Sequence, residues 1–342
     1  MIANFQFADQ MDVAGKTVLL RLDVNVPLAD GVVSDDTRIR RVMPGVQSLL
    51  ERGAKVVVLT HFGRPKGAFV PALTVRPVAQ SMAGILGQPV PVESDVIGPG
   101  GKKAVAALAA GDILMMENLR FYPEEEANDL AFAKSLAALG DLYVGDAFSC
   151  AHRAHASTYA VAQQLPCFSG PVMAAELDAL SAALDKPQRP VAAIVGGAKV
   201  STKLAVLENL IEKVDILFLG GGMANTFLYA KNKQIGRSLC EINLTKLASE
   251  ILLNAKKYNC EVHLPLDVIC AYDLKENGEV TTHNVDFCPT DKMILDCGPN
   301  TVSKICNILK KSNTLIWNGP LGAFETVPFN FSTEEVANLA AK

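Results

Sequence analysis

The chain has 342 residues, of which 49% are hydrophobic and 20% are charged, and its formal net charge at pH 7 is −4. A composition this apolar supplies a large core and excludes a disordered protein, and the length suits about two domains. The weak negative charge excludes attraction of nucleic acid or anionic membrane by the overall field, so an acidic ligand must be bound by a local cluster of cations.

The remaining bulk features concern compartment and partners. No stretch approaches the roughly 18 apolar residues of a membrane-spanning helix, and MIANFQFADQMDVAGK lacks a basic region followed by an apolar one. The eight cysteines form no CxxC pair and no close metal-binding spacing, so we expect buried free thiols. These features predict a cytoplasmic protein with no membrane partner and no nucleic-acid partner.

Short runs of valine, isoleucine and leucine recur along the chain and alternate with amphipathic stretches. The runs that predict strands are TVLLRLDVNV, AKVVVLT, DILMME, LYVGD, VAAIVGG, DILFLGG, EVHLPLDVIC and TLIWNG. Apolar strands that alternate with helices are typical of parallel sheets covered on both faces, so the predicted fold class is α/β. Ligands of such sheets bind beyond the carboxyl ends of the strands.

The first strand, within RLDVNVP, has an unusual polar face. Arg21, Asp23 and Asn25 alternate with aliphatic residues, so an extended strand would place them on one face. A solvated edge strand would explain them, and so would a binding site at the end of the strand. Arg21 has a further explanation, as the structural partner of a nearby carboxylate.

Basic side chains follow several strands of the first half. HFGRPKG, ENLRF and SCAHRAHAST come directly after predicted strands, and SDDTRIRR begins a helix. Each of their cations alone could be a surface charge or a satisfied core histidine. Their accumulation at one sheet edge predicts a site for a small, multiply charged anion, since arginine matches phosphate and carboxylate. The polar residues concerned are Arg38, His61, Arg64, Lys66, Asn118, Arg120, His152, Arg153 and His155.

Glycines and lysines occupy the corresponding positions of the second half. In GGAKVSTK, Lys199 and Lys203 are four residues apart, which predicts that they share a face in the first turns of a helix. A Gly-Gly-Gly run follows the next strand, and neither segment has the GxxxxGK[ST] or GxGxxG spacing. Free N–H groups at helix starts favour phosphate, so we predict phosphate binding by another route.

A helix is predicted between the two halves, in GPVMAAELDALSAALDKPQRP. Pro171 suits a first helical position, and Asp185-Lys186-Pro187 ends the helix because the residue before proline avoids helical geometry. We interpret residues 171–187 as a connecting helix between an N-terminal domain, residues 1–170, and a C-terminal domain, residues 188–342.

The composition also changes along the chain. Residues 1–210 contain 34 Ala, 10 Arg and 5 Asn, whereas residues 211–342 contain 9 Ala, 1 Arg and 13 Asn. Chance and domain-specific composition explain such a change, and a mosaic chain from coding sequences of different nucleotide bias is the alternative. Uniform GC content along the gene would exclude the mosaic.

These motifs together resemble one family, phosphoglycerate kinase. RLDVNVPLADGVVSDDTRIR, LTHFGRPKG, ENLRFYPEEE, GDAFSCAHRAHAST, GGAKVSTKLAVLENL, GGGMANTFL, LDCGP and WNGPLGAFE occur in that family's order and approximate spacing. The resemblance implies two Rossmann-like parallel-sheet domains joined by a helix and hinge. It implies reversible phosphoryl transfer between 1,3-bisphosphoglycerate and Mg-ADP, giving 3-phosphoglycerate and Mg-ATP in glycolysis.

The resemblance also implies roles for individual residues. The acid substrate, 3-phosphoglycerate or 1,3-bisphosphoglycerate, would be bound in the N-terminal domain by Asp23, Asn25, Arg38, His61, Arg64, Arg120 and Arg153. ADP or ATP with Mg²⁺ would be bound in the C-terminal domain by Lys199, Lys203, Gly220, Gly221, Gly222, Asn318 and Glu325. Arg38 and Lys199 are the expected catalytic residues, the metal ligand is unassigned, and a monomer is expected.

The resemblance has two departures. Family members continue past Lys342 with a Gly-rich turn and an aspartate near the magnesium, so an incomplete C-terminal domain is implied. Phe148-Ser149-Cys150 stands where a small residue such as Thr or Gly is commoner. Two other functions stay open: a truncated or non-catalytic relative that binds 3-phosphoglycerate without turnover, and a nicotinamide oxidoreductase, which the architecture suggests and the failed GxGxxG spacing opposes.

Overall fold

The computed structural model describes residues 6–342, and the chain divides into two compact units, Met1–Leu180 and Ser181–Lys342. The strands of the first unit are β1 Thr17–Leu22, β2 Leu28–Ala29, β3 Val32–Val33, β4 Lys55–Leu59, β5 Val92–Glu93, β6 Ile113–Met116, β7 Leu142–Asp146 and β8 Cys167–Ser169. Its helices are α1 Thr37–Glu51, α2 Arg76–Leu86, α3 Pro99–Ala106, α4 Pro123–Glu126 and α5 Leu130–Ala137, followed by α6 Pro171–Leu184, which crosses the division.

The first unit is built on one six-stranded parallel sheet, in the order β5-β6-β4-β1-β7-β8. Its central strands are buried on both faces, which is why they read as continuous aliphatic runs. One core lies against each face, with Leu20 and Val58 in the first and Leu19 and Val57 in the second. The parallel arrangement places the loops after β4, β1 and β7 side by side.

The predicted length of the first strand is wrong. β1 ends at Leu22, so Asp23 and Asn25 lie in the loop beyond it. Asp23 Oδ1 accepts a hydrogen bond from the Asn25 backbone N–H at 3.2 Å, and such a turn competes with strand geometry. The solvated-edge interpretation is also wrong, because β1 is a central strand and Arg21 is only 1% exposed.

The second unit contains two sheets. Its strands are β9 Val191–Val195, β10 Ile216–Leu219, β11 Glu261–His263, β12 Asp267–Ala271, β13 Thr281–Asn284, β14 Met293–Cys297 and β15 Thr314–Asn318. Its helices are α7 Leu204–Ile211, α8 Gly221–Ala230, α9 Thr245–Lys257, α10 Pro299–Leu309 and α11 Phe331–Ala340. One sheet is parallel, in the order β11-β10-β9-β15, and the other is antiparallel, in the order β13-β12-β14. The α/β fold class with parallel-sheet units is confirmed.

The segment EVHLPLDVIC is two strands, not the single strand predicted. β11 pairs with β10 in the parallel sheet, whereas β12 pairs with β13 and β14 in the antiparallel one. Pro265 lies between them, and proline cannot donate a ladder hydrogen bond. The chain therefore changes sheets at this point.

The predicted placement of Lys199 and Lys203 in the first turns of a helix is also wrong. α7 begins at Leu204, so Lys203 is its N-cap residue and Lys199 lies in the preceding turn. Thr202 Oγ1 donates to the Lys199 carbonyl at 2.9 Å. Ser201 donates from its backbone N–H and its hydroxyl to the Glu241 carboxylate, at 2.9 and 2.6 Å. These side-chain bonds give the backbone an alternative to helix.

The helix predicted between the halves is present as α6, and it ends before Asp185-Lys186-Pro187. Its start is capped by Asp146, whose Oδ1 accepts from the Met173 backbone N–H at 2.8 Å. Burial raises the pKa of the Asp146 carboxyl. The proposed domain boundaries remain predictions.

All eight cysteines carry free thiols, and five of them are buried, whereas Cys167 is exposed and Cys240 and Cys306 are half-buried. Within residues 6–342, the structure contains no helix that is both long and apolar enough to cross a membrane.

Candidate functional site

The first candidate site lies at the carboxyl ends of adjacent parallel strands in the first unit. Asp23 and Asn25 follow β1, His61 follows β4, and Arg120 follows β6 in a short 3₁₀ turn, Leu119–Phe121. Arg38 is in the first turn of α1. We call this set, Asp23, Asn25, Arg38, His61 and Arg120, the acid site.

Asp23 and Arg38 form the outer edge of the acid site. Arg38 Nη1 lies 3.3 Å from Asp23 Oδ2 and 3.3 Å from the Asn25 carbonyl oxygen. The Ser149 hydroxyl donates to the same Asp23 oxygen. Burial alone would raise the pKa of Asp23, but the hydrogen bonds from Ser149 and the Asn25 N–H, with the nearby His61 and Arg38, bring it below its ordinary value. Asp23 is therefore a carboxylate at neutral pH.

The loop that carries His61 is held by amide and guanidinium groups. The Gly63 N–H donates to Asn25 Oδ1 at 3.0 Å, and Arg120 Nη1 donates to the Gly63 carbonyl at 2.8 Å. Gly63 has φ +58°, and a Cβ there would approach Leu73 to 2.7 Å, so glycine is required. Arg120 Nε lies 3.1 Å from Glu126 Oε1 but has no well-aligned hydrogen-bond partner. A buried guanidinium with an N–H donor that lacks a hydrogen-bond acceptor suits a bound anion.

His61 is buried and uncharged. Burial, and then the positive charges of Arg21 and Arg120, lower its pKa to about 3. Arg21 Nη2 lies 3.1 Å from His61 Nδ1. The His61 side chain is therefore a neutral imidazole at neutral pH.

The other predicted residues of this half are placed differently. Arg64 and Arg153 are exposed, and Arg153 Nε donates to His152 Nε2 at 3.2 Å. The charge of Arg153 still contributes to lowering the pKa of His61. Asn118 is structural: its side chain is fully buried and bonds the backbone of Phe62 and Leu73. The structure thus brings together the five acid-site residues, whereas among the described residues no hydrogen bond or ion pair joins the Arg64 side chain to them.

Sequence reasoning missed three residues around this site. Ser149 bonds Asp23, and Glu125 and Ser157 lie buried behind Arg21. Ser157 does not stand out in the sequence, because serine is common in loops, and Ser149 stands out only within the departure from the family pattern. Arg21 donates to the Ser157 hydroxyl, which donates to the Glu125 carboxylate. Arg21 is therefore linked to a carboxylate, as one interpretation of the sequence expected, but through the Ser157 hydroxyl and not directly.

A metal site at this position is disfavoured by its surroundings. Among residues 6–342, Asp23, His61 and Cys150 offer ligand atoms that all lie within 4.8 Å of one another. However, Arg21 donates to a nitrogen of His61, and Arg38 pairs with Asp23. A divalent cation would have to displace one guanidinium and lie beside several others. These surroundings favour an anion over a divalent cation at the acid site.

The second candidate site is a cleft of about 460 Å³ in the second unit. We call it the glycine cleft, and its lining residues are Gly197, Ala198, Gly221, Gly222, Leu239, Leu274, Met293, Ile294, Leu295, Pro320, Gly322, Ala323, Phe324, Glu325 and Thr326. Its wall is aliphatic and backbone, with Glu325 as the acidic side chain. Apolar walls with few polar groups are typical of sites for a planar organic group.

Glycines allow three loops to meet beside this cleft. Gly221 has φ +66°, its N–H donates to the Leu321 carbonyl at 2.7 Å, and a Cβ there would lie 2.6 Å from the Gly197 carbonyl oxygen. A Cβ on Gly196 would lie 1.9 Å from the Pro320 carbonyl oxygen. Gly220 caps α8 and packs against Leu321. The glycines are therefore required for backbone approach, and α8 begins at this junction.

Three charged side chains lie beside this cleft: Lys199 and Glu325 are exposed, and Lys203 is half-buried. Lys203 Nζ donates to Asn318 Oδ1, which joins the turn before α7 to the end of β15. Lys199 is exposed in the same turn and lies close enough to Glu241 to contribute to lowering the pKa of that carboxyl, after the larger effect of the Ser201 hydrogen bonds. Glu325 is exposed at the cleft. Lysine ammonium groups beside the start of a helix suit a bound phosphate, because they offer N–H donors and positive charge.

Comparison with known proteins identifies the family of the chain. The family model described as phosphoglycerate kinase matches residues 8–342. The phosphoglycerate kinase of Ruegeria sp. (strain TM1040) is 53% identical over 334 residues, which cover 98% of this chain and 84% of that protein. That of Chelativorans sp. (strain BNC1) is 50% identical over 342 residues, which cover all of this chain and 86% of that protein.

Solved structures give the same result. Phosphoglycerate kinase from Coxiella burnetii has a TM-score of 0.83 and 39% identity, over 98% of this chain and 85% of that one. The enzyme from Pyrococcus horikoshii OT3 has a TM-score of 0.86 and 31% identity, over 98% of this chain and 86% of that one. The resemblance drawn from the motifs is confirmed, and the chain belongs to the phosphoglycerate kinase family.

Proposed function

We propose that the chain catalyses reversible phosphoryl transfer between 1,3-bisphosphoglycerate and ADP, giving 3-phosphoglycerate and ATP. The observation that carries this proposal is the acid site, where buried and exposed arginines surround a neutral imidazole at one sheet edge. Phosphoryl transfer depends mainly on positioning and on stabilising charge, so such a site needs no covalent nucleophile.

The acid site suits a ligand with both anionic groups and hydroxyls. Arg38 and Arg120 offer N–H donors to a carboxylate or phosphate. Asp23, an ionised acceptor, and the Asn25 amide suit a hydroxyl group. We assign Arg64 and Arg153 to the same substrate, because exposed arginines in the loops after β4 and β7 can reach a bound anion.

We assign the nucleotide to the glycine cleft. The aliphatic wall beside Gly221 and Gly222 suits the adenine ring, and Glu325 suits ribose hydroxyls. Lys199, Lys203 and Asn318 would bind phosphates, and Gly220 would shape the cleft from behind. Arg38 and Lys199 are proposed to share the charge of the transferred phosphoryl. Since the two substrates are assigned to different units, a hinge closure remains a prediction.

Mg²⁺ is proposed to enter with the nucleotide. Glu325 is the acidic residue that lines the glycine cleft, while Asp296 behind Gly322 is engaged by Ser332 and by the Cys297 N–H. This donor set suits an ion held mostly by phosphates and water, as Mg²⁺ is in many kinases. The ion would neutralise phosphate charge, and no protein ligand is assigned to it.

The alternatives have less support. The relatives and solved structures reported above are named phosphoglycerate kinase, which favours the kinase over a relative that binds 3-phosphoglycerate without turnover and over a nicotinamide oxidoreductase. A monomer acting in the cytoplasm remains the proposed state, as the sequence analysis expects.

The test is ATP formation from 1,3-bisphosphoglycerate and Mg-ADP. We expect wild-type turnover, and a loss of about 100-fold or more in kcat for Arg38→Ala and for Lys199→Ala, since each removes charge from the transition state. Arg40→Ala and Lys213→Ala are matched controls, because Arg40 pairs with Asp36 on the same helix as Arg38 and Lys213 is exposed beyond α7. If the wild-type protein binds 3-phosphoglycerate but forms no ATP, the proposal is contradicted.

A further inference from the structure

A chain of buried polar groups lies behind the acid site and is not used by it. Glu125 and Ser157 are fully buried, and Arg21 is 1% exposed. They come from three different segments: α4, the π-helical turn Ala156–Ala160, and β1. Burial of such groups is costly unless every member is paired. The direction of each hydrogen bond then follows from which atoms can donate and which can accept.

The bonds between Glu125 and Ser157 determine the orientation of the serine hydroxyl. Ser157 Oγ donates to Glu125 Oε1 at 2.6 Å, and the Ser157 backbone N–H donates to Glu125 Oε2 at 2.9 Å. A hydroxyl has a single proton, so the lone pairs of Ser157 Oγ are left to accept. They accept from Arg21 Nε at 2.8 Å.

Arg21 passes this orientation to His61. Its Nη1 donates to the Leu22 carbonyl and its Nη2 lies 3.1 Å from His61 Nδ1, so contacts on three nitrogens hold the guanidinium plane. A guanidinium only donates, so Nδ1 must be the acceptor. The proton of the neutral imidazole is then on Nε2, the nitrogen left for a ligand.

We propose that Glu125, Ser157 and Arg21 form a positioning relay that holds His61 as its Nε2–H tautomer, so that Nε2 donates a hydrogen bond to an oxygen of the acid substrate. The opposite tautomer would turn a lone pair toward the substrate anion. The neighbouring guanidiniums disfavour a positively charged imidazole. A relay of this kind lets the neutral ring still donate a hydrogen bond. The substrate half of the proposal rests on the proposed function of the acid site.

The tautomer can be measured directly. We would record side-chain ¹⁵N spectra of the ligand-free protein at neutral pH, with His61→Gln to assign the signals. The wild-type protein should show a pyridine-like shift at Nδ1 and a pyrrole-like shift at Nε2. Ser157→Ala should bring the two shifts toward an average, and Ser157→Thr, which keeps the hydroxyl, should restore the wild-type pattern.

Tyr143→Phe is the matched control. The Tyr143 hydroxyl donates to the Ser157 carbonyl oxygen at 2.9 Å, so its loss loosens the same turn without touching the relay. A wild-type Nδ1–H tautomer would overturn the proposal, as would equal changes in Ser157→Ala and Tyr143→Phe. If Ser157→Ala does not fold, Glu125→Gln, which is isosteric and removes one acceptor, serves instead.

Kinetics separate the relay from a merely structural role. Ser157→Ala should raise KM for 3-phosphoglycerate by about five- to tenfold with kcat within about twofold, because one oriented hydrogen bond to substrate is weakened. An unchanged KM would overturn the substrate half. If the wild-type tautomer is Nε2–H yet 3-phosphoglycerate leaves the Nε2 signal unmoved, the acid-site assignment fails while the relay itself stands.

Discussion

The two candidate sites are built from different materials. In the first unit, the site depends on buried side chains that hydrogen bonds hold in place: Arg120 donates to the Gly63 carbonyl, and Arg21, behind the site, donates to His61. In the second unit, it depends on backbone that approaches closely at glycines, with Lys199 and Glu325 exposed beside it. Nine of the eleven arginines lie within residues 1–180.

The two sites differ in construction because their proposed ligands need different surroundings. A small acid with several charges must be surrounded by donors in a defined geometry, and burial supplies that geometry because it restricts rotamers. A planar ring needs a shaped apolar surface, which backbone and glycine provide at little cost in buried charge. We therefore expect changes in the first site to alter stability and binding together, and changes beside the second to act mainly through the backbone.

The largest expected effect follows from Asn118→Ala. Its side chain accepts from the N–H groups of Phe62 and Arg120 and donates to the carbonyls of Phe62 and Leu73. Several buried groups would lose their partners, which should lower the free energy of unfolding by about 3 to 5 kcal/mol. Urea unfolding with 3-phosphoglycerate titration checks this, and affinity should fall with stability.

The control for this change is Asn209→Ala, which removes an exposed amide bonded to the Ala205 carbonyl on α7. We expect a change within about 0.5 kcal/mol. A loss of less than about 1 kcal/mol in Asn118→Ala would show that the acid site does not depend on this buried amide.

A smaller effect is expected from Gly221→Ala. A side chain there is strained at φ +66° and overlaps the Gly197 carbonyl, which should cost about 2 to 4 kcal/mol. ADP affinity should fall while 3-phosphoglycerate affinity stays unchanged, as isothermal titration can show. Gly84→Ala, in the last turn of α2 where a Cβ meets open space, should instead stabilise by about 0.5 to 1 kcal/mol. Equal weakening of both ligands by Gly221→Ala would contradict the contrast between the sites.

The smallest effect, taken per pH unit, is a pH dependence of opposite sign in the two units. The pKa of His61 is lowered to about 3 from an ordinary value of about 6.5. The unfolded chain thus binds more protons between these values, so the first unit loses stability as the pH falls from about 6.5 toward 3. Burial raises the pKa of Asp296 to about 6 despite its hydrogen bonds. The folded second unit therefore binds more protons between about 4 and 6, and it loses stability as the pH rises through that window.

Hydrogen–deuterium exchange resolved by unit, at several values between about pH 4 and 6, measures both slopes. Each group contributes up to about 1.4 kcal/mol per pH unit. His61→Gln should flatten the slope of the first unit and Asp296→Asn that of the second. Parallel slopes in the two wild-type units, unaffected by either substitution, would show that other groups dominate.

Much of the fold and of the candidate site could be read from residue patterns. Aliphatic runs predicted the parallel strands because a strand covered on both faces must be apolar throughout. Arg38, His61 and Arg120 were predicted as neighbours because parallel strands bring their carboxyl ends to one edge. Two errors came where local side-chain bonds competed with regular structure, at Asp23 beyond β1 and at Thr202 before α7. A third came at Pro265, where the chain changes sheets.

The sequence by itself determined the fold class, the family and the chemical character of the two sites, since these depend on residue types, their periodicity and their order along the chain. The tertiary structure alone decided which polar groups are buried against one another. Ser157, Glu125 and Arg21 are far apart in the sequence and leave no pattern in it, yet they meet at hydrogen-bond distance. The direction of a hydrogen bond, and with it the tautomer of His61, depends on contacts that only folding creates.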